Sequence, residues 1–531
     1  MQDEKRNSSV GTKQTKANSL AKDFSRNLEF LDKNREKIAK KTTGSETLHV
    51  VTAGAAVSEI YEKVRNASEN AEENLLLMHA IRRFLKRIFL IGIYKNAAEN
   101  LITDLTLSGY LKNDSISLET VREIDTIISD FAKLRVRLLV KFSREVADRW
   151  TTEPMSAKIE QMLHASDDSA AIIELAKDYF AKAIDTEKLL HITSPKNYDI
   201  LLFVAASASL AKQDEATIRM NLLERYKINL DKAVSFAKFN RQLDGIFQSE
   251  NLAKISHVIS RNGAAFRILA KTAAADKNLS KHVFEEKSLI GPFDTAIGET
   301  YASVHRNINR GVARSVIFLV ITKFLIGIAL EVPYDLWFHH AVIWEALVIN
   351  LLLPPLYMVA LRFTLAMPGL RNRLALQREI SRIFYSPVPS KPFLGSMDSR
   401  KFGAAYNFFY LIFIGAIFVG IGWLLMTFAK FEWPHLAIFF FFISTASFLG
   451  FRLSRQIREI EVGQESMTGA SLLRDLVYMP FVAVGRRISE TYSRFNLISQ
   501  ILDIFVELPL KTILDFIRQW GNFLSAKRDE F

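Results

Sequence analysis

The chain has no cysteine. Disulfides, thiolate metal sites, iron–sulfur clusters and cysteine nucleophiles are therefore excluded. The opening residues, MQDEKRNSSVGTKQTK, lack an apolar core and do not read as a secretory signal. Runs of alternating apolar and polar residues long enough for a strand are missing, which argues against a sheet. Also missing are an HExxH helix, a glycine-rich phosphate loop ending in Lys-Ser/Thr, a GxSxG elbow and a clustered carboxylate pair. No cofactor and no catalytic residue are expected on these grounds. The net charge of +12 is small for 531 residues and is spread along the chain. With no basic groove and no recognisable module, nucleic acid is not an expected partner.

What the chain does have is four long apolar runs, crowded between residues 313 and 453. They are Ala313–Leu330, Ala341–Leu361, Ala405–Phe428 and Leu436–Leu453. About 20 apolar residues span the roughly 30 Å hydrocarbon core of a bilayer. The first run contains Lys323, which costs about 2.5–3.5 kcal/mol at a helix centre. The Leu, Ile, Phe and Val residues of Val312–Leu330 contribute roughly 4–7 kcal/mol in the other direction. The lysine is therefore tolerable, and the expected fold is all-α: a polytopic membrane protein with four transmembrane helices.

Lysine and arginine in short connections set orientation. Segment 331–340 has neither, and segment 429–435 has only Lys430. Segment 362–403 has eight, Arg306, Arg310 and Arg314 precede the first run, and Arg452, Arg455 and Arg458 follow the fourth. Trp337 and Trp433 fall in the two short connections, where interfacial aromatics belong. Both ends of the chain and segment 362–403 are thus expected on the cytoplasmic side. The bilayer is the first expected partner.

Residues 1–18 are polar and are expected to form a mobile tail. Residues 19–300 read as an all-α cytoplasmic domain, or as two subdomains split near 150–155 or 194–196. Helical spacing is clearest from Leu118 to Phe142, where Leu118, Val121, Ile124, Ile128, Phe131, Leu134, Leu138 and Phe142 make one stripe. Ser117 is placed to cap it. Further helices are expected at about 19–40, 46–68, 72–93, 95–108, 155–164, 168–186, 197–212, 215–228, 231–247, 251–260 and 264–275. Turn signals fall at Asn262-Gly263 and Gly291-Pro292, among others.

Two of these helices are basic. One carries Arg82, Arg83, Lys86 and Arg87; the other carries Lys133, Arg135, Arg137, Lys141 and Arg144. Such helices can lie on an anionic membrane or meet an acidic partner. The plainer reading is a solvated face over a buried apolar one. After the fourth run, residues 454–531 read as amphipathic helices. Leu476–Val484 is too short to cross, and Pro509 sits where a helix would start. Trp520 and Phe523 suit an interfacial anchor. These helices either lie along headgroups or dock on another domain.

Inside the runs, Lys323, Glu345 and Asn350 are the candidate polar site. Ionisable groups inside a membrane are costly and commonly functional. Lys323 and Glu345 lie at similar depth on adjacent spans, which permits a pair. Asn350 can hydrogen-bond another span. Pro354-Pro355 should bend the second span. Ala416 and Gly420 form a small-residue pair suited to packing against a helix of the same chain or of a second copy. His339-His340 beside Asp335 and Glu331 has metal-ligand residue types but no further ligand spacing, so no metal site is expected. About 310 residues precede the first run, whereas the outer connections are about ten and seven residues long. The leading expectation is a membrane-anchored helical scaffold, adaptor or sensor with protein partners on the cytoplasmic side. A channel or transporter subunit, plausible as a homo-oligomer, and a membrane-associated enzyme are the alternatives.

Overall fold

Helix is the only regular structure in the described residues of the computed structural model, which are 17–42, 46–52, 55–56, 58–59, 61–62, 75–92, 96–163, 169–184, 195–387, 404–463, 478–489, 516 and 520. They contain no strand, only one antiparallel bridge between Thr47 and Ser117. They divide into two compact units, each assembled from separate stretches of chain. One takes described residues of Phe30–Asp167, Lys196–Ala253 and Glu490–Phe531; the other takes those of Met1–Glu29, Asp168–Pro195 and Lys254–Ser489.

In the first unit, helix Leu118–Leu139 forms for the reasons its sequence suggests. Ser117 Oγ accepts from the Thr120 N–H at 3.2 Å, and Glu119 and Arg137 complement the dipole at opposite ends. Ile124, Ile128, Phe131, Leu134 and Leu138 are buried along one face. A short helix that the periodicity did not suggest, Arg144–Trp150, begins at Ser143. It carries Trp150 into the core, where the indole N–H donates to Asp244 Oδ2 at 2.9 Å. Asp244 Oδ1 accepts from Arg219, a guanidinium with no exposed surface, which also donates to Asn240 Oδ1 and Glu215. One buried charge network therefore ties helices Arg144–Trp150, Glu215–Arg225 and Ala233–Phe247 together. The expected helix at 46–68 fails at its start. Residues 46–52 run extended because Leu48 donates to the Ile116 carbonyl and Asn113 bonds Val50 in both directions. Most of 53–74 lies outside the described residues.

In the second unit, the Gly291-Pro292 turn does not occur. Pro292 lies inside helix Glu286–Ile326. Its ring removes one hydrogen bond near the helix start, a cost of about 3 kcal/mol. The continuous stripe Leu289, Phe293, Ala296, Ile297, Thr300, Val304 and Ile308 is buried and outweighs it. Segment 362–403 holds a helix, Leu370–Tyr385, with Leu376, Ile380, Ile383 and Phe384 buried. Arg373 grips Asp294 through both carboxylate oxygens and fixes this helix beside Glu286–Ile326. Phe384 stacks on Phe24 at 5.5 Å.

Among the described residues, four helices in this unit are long and apolar enough to cross a membrane. The second, third and fourth are Trp344–Thr364, Ala404–Ala429 and Trp433–Arg458. The first departs from expectation. Segment 331–340 is not a loop: a π turn at Gly327–Glu331 leads into helix Val332–His339. Pro333 follows the π turn within one continuous helical run, and His340 ends that run with φ of 52°. The connection to the second helix shrinks to residues 340–343.

Helix 478–489 packs on the fourth apolar helix. Phe481 is buried against Phe418 at 4.9 Å and Phe440 at 6.4 Å, and the Tyr478 hydroxyl donates to the Ser447 carbonyl. At Gly485 the two backbones meet: a Cβ there would lie 2.1 Å from the Ser444 carbonyl oxygen. The segment noted as too short to cross thus docks on the apolar helices themselves. Segments 1–16 and 496–508 lie outside the described residues, as does 509–524 apart from positions 516 and 520.

Candidate functional site: a buried polar cluster among the apolar helices

Lys323, Glu331, Asn350, Asp335 and His435 are each 1% exposed or less. The first helix brings Lys323, the π turn Glu331, the second helix Asn350 and the fourth His435. Lys323 Nζ donates to Glu331 Oε1 and lies 5.0 Å from the centre of the Phe442 ring. Asn350 Nδ2 donates to the same Glu331 oxygen and to the His435 carbonyl, each at 3.2 Å.

The π turn is what makes the Lys323–Glu331 pair. The two residues are eight apart in sequence. Eight residues of unbroken α-helix rotate by about 800°, leaving them about 80° apart around the axis. Taking up one extra residue in a π turn moves that offset to about 20° on the other side. The carboxylate then faces the ammonium, at the cost of poorer backbone hydrogen bonds over one turn.

Next to the pair, a second polar layer closes the end of the bundle. Asp335 Oδ2 accepts from the Ile343 N–H at 2.9 Å and pins the connection after the first helix. Asp335 Oδ1 lies 3.1 Å from His435 Nε2. His435 is also the third residue of the fourth helix. Its Nδ1 accepts from the Glu432 N–H, while the Glu432 carboxylate accepts from the His435 N–H, a reciprocal capping box. Glu432 in turn accepts from the Tyr334 hydroxyl at 2.9 Å and sits 3.0 Å from His339 Nε2. The hydrogen bond from His339, then that from Tyr334, holds the Glu432 carboxyl below the usual carboxylate range.

Comparison with known protein families, curated proteins and solved structures gives no match.

The structure brings together two of the three polar residues singled out in the sequence. Asn350 joins the Lys323 cluster; Glu345 does not. Glu345 is exposed and pairs with Lys430 at 2.9 Å, so the Lys323–Glu345 pair does not form. Lys323 takes Glu331 instead. Glu331, Asp335 and His435 were missed as site residues. The first two were read as loop residues, and nothing in the local sequence marks a π turn. His435 carried a signal in Glu432-Trp-Pro-His, the acid and N3 spacing of a helix start. Among the described residues no three His, Asp or Glu side chains come together to hold a metal ion.

The basic helices behave differently from a free cationic face. Arg82 pairs with Asp214, Arg83 with Glu62, Arg87 with Asp104 and Arg135 with Asp148, all within one unit. Arg137 reaches the Asp231 carbonyl at 2.8 Å, Lys133 meets Asp130 and Arg144 meets Asp148. Lys86 and Lys141 are exposed. An open cleft of about 590 Å³ lies between Glu286 and helix Leu370–Tyr385, lined by Gln377, Arg378, Arg382 and Tyr385. Arg382 there meets Glu379 at 3.5 Å.

Proposed function

We propose that the chain is a four-pass membrane protein with both ends in the cytoplasm, and that its spans anchor a helical cytoplasmic region that recruits or senses protein partners. The observation that carries this reading is the lopsided distribution of chain. Helix Val332–His339 and residues 340–343 close one end of the apolar helices, and residues 430–432 close it again. In the sequence, every long polar stretch joins the apolar helices at an end flanked by Lys and Arg. Phe408, Val419, Trp423 and Phe428 of the third helix are more than half exposed, a surface suited to hydrocarbon and poorly suited to water. With two minimal connections outside, recognition has to take place inside.

The test is recovery of the full-length protein from solubilised native membranes, beside a variant with Lys86, Lys133 and Lys141 changed to Glu. A partner captured by the first and lost by the second supports recruitment through the cytoplasmic region. Recovery of the protein alone contradicts it.

A second reading, a channel or transporter subunit, draws on the buried cluster, since ionisable groups at such depth commonly mark ion paths. Against it, the cluster is closed on all sides and Glu345 stands apart from it. Ion flux into vesicles reconstituted with the pure protein, abolished by Glu331→Gln, would favour it.

A further inference from the structure

At the basic end of the apolar helices, Arg362 donates to Asn309 Oδ1 at 2.6 Å and to the Leu365 carbonyl at 3.1 Å. Arg373 grips Asp294, Arg455 lies 3.3 Å from Glu459, and Arg458 sits 4.6 Å from the centre of the Phe451 ring. Arg306, Arg310 and Arg314 of helix Glu286–Ile326 differ. All three are exposed, and none makes a side-chain hydrogen bond or ion pair among the described residues. Residues four apart in an α-helix are offset by about 40° and rise about 6 Å. The three arginines therefore climb one outward face, and Ile317, Ile321 and Leu325 continue it, all six within about 100° of arc. Those three apolar residues are more than half exposed. A free basic stretch thus runs without a break into a free apolar one on the same side of one helix.

We infer that Arg310 and Arg314 bind the phosphate of an anionic phospholipid whose acyl chain lies along Ile317, Ile321 and Leu325. A guanidinium meets phosphate oxygens two at a time, and an anionic lipid supplies both the phosphate and the hydrocarbon that this face calls for. Clusters of basic residues just inside a membrane-crossing helix attract such lipids. The inference rests on the proposed insertion of the four apolar helices, and not on which compartment either end faces.

Depth decides what each arginine contributes. Ile317 is the first large apolar residue on the face, and the headgroup region of one leaflet is about 5–8 Å deep. Arg314 stands about 4.5 Å from Ile317 along the helix axis, within that layer. Arg310 stands about 10 Å away, and its long side chain can reach back to the phosphates. Arg306, about 16 Å away, lies beyond the layer and adds only screened, long-range attraction. The preceding acid on this helix, Glu299, is seven residues before Arg306. That places it about 10 Å further from the apolar boundary, so it leaves Arg310 and Arg314 uncompensated.

The experiment begins with native membranes carrying the full-length protein. An alkaline carbonate wash should leave it in the pellet; release would overturn both the insertion and the lipid site. The protein is then purified in detergent and titrated with phosphatidylglycerol or phosphatidylcholine of identical acyl chains, and bound lipid is counted by native mass spectrometry. Phosphatidylglycerol should bind about tenfold more tightly or better, an advantage that shrinks as salt is raised. A basic residue near an anionic surface contributes about fivefold in affinity. Arg310→Gln and Arg314→Gln should each weaken phosphatidylglycerol binding by about that factor, the pair together by about 25-fold, and Arg306→Gln by less than either. Phosphatidylcholine binding should not change. The charge-matched control Arg122→Gln/Lys238→Gln, at exposed positions of the other unit, should leave both lipids unaffected. Retention in the pellet with equal affinity for the two lipids, or an equal loss in the control, would overturn the lipid site alone and leave the arginines to orientation or to an acidic protein partner. Should a variant fail to fold, the preference between the two lipids in the unaltered protein still decides.

Discussion

At the scale of single residues, Lys323 and Glu331 exchange bulk water for one another and a phenylalanine ring. Taking two charges out of water costs several kcal/mol per ion, and their attraction offsets this only while both are present. Removing one should cost about 3–5 kcal/mol, because the other is left charged and unpaired. Lys323→Leu should therefore lower stability in detergent more than the double variant Lys323→Leu/Glu331→Leu. A double-mutant cycle on unfolding midpoints measures the difference, and strict additivity would show that the pair is not coupled. Tyr179 offers a second residue-scale case, outside the apolar helices. It is buried beside Phe180 and Phe266, and burial pushes its phenol from 10.0 up to about 12, with Glu379 adding to the effect. A raised value means the folded state holds the proton more tightly than the unfolded state. The stabilisation is fully present below pH 10 and is lost as pH rises toward 12, by about 3 kcal/mol. Tyr179→Phe should remove that loss. Stability curves of variant and parent should run parallel at neutral pH and diverge above pH 10; parallel curves throughout would contradict the assignment.

Single elements show how much backbone geometry adds to periodicity. The third helix reads clearly from sequence because it is apolar all round and carries no charge, and its bounds match within a residue or two. Leu118–Leu139 reads equally well, since its cap and its stripe agree. The π turn at Gly327–Glu331 does not, because an extra residue in one turn leaves no mark in composition. That single turn decides which carboxylate meets Lys323, so the site was only half legible: Lys323 and Asn350 stood out as polar residues in apolar runs, whereas Glu331 was hidden by its apparent place in a loop. Leu370–Tyr385 was obscured in a similar way, its buried stripe sitting among the arginines that mark the cytoplasmic side. Helix 478–489 was legible as apolar and short; what it docks on depends on the absence of a side chain at Gly485. The Ser444 carbonyl is backbone and cannot step aside, so Gly485→Ala should destabilise by about 1–3 kcal/mol through overpacking. Gly420, with nothing within 4 Å of a Cβ, is the control. Gly420→Ala should be neutral, or stabilising by about 0.5–1 kcal/mol from helix preference. Equal effects at the two glycines, read as thermal midpoints in one detergent, would mean that the helix 478–489 contact contributes little.

For the whole molecule, polarity is distributed unevenly. The short end of the apolar helices is stitched by Tyr334, His339, Glu432 and the Asp335–His435 pair. Because Glu432 is held below its ordinary value, its contribution to that seam is present above the usual carboxylate range and is lost as pH falls through the lowered value. On the proposed topology that seam faces away from the cytoplasm, and acidification of that compartment alone would reach it. The central claim is the topology itself, and the chain is well suited to testing it. With no native cysteine, single cysteines can be introduced at Trp337, Lys430, Lys141 and Arg400 without removing any background. A membrane-impermeant maleimide is applied to sealed cells and then to permeabilised ones. The proposal predicts that positions 337 and 430 react in sealed cells, whereas positions 141 and 400 react only after permeabilisation. Labelling of 141 or 400 in sealed cells, or protection of 337 and 430 alongside them, would contradict it.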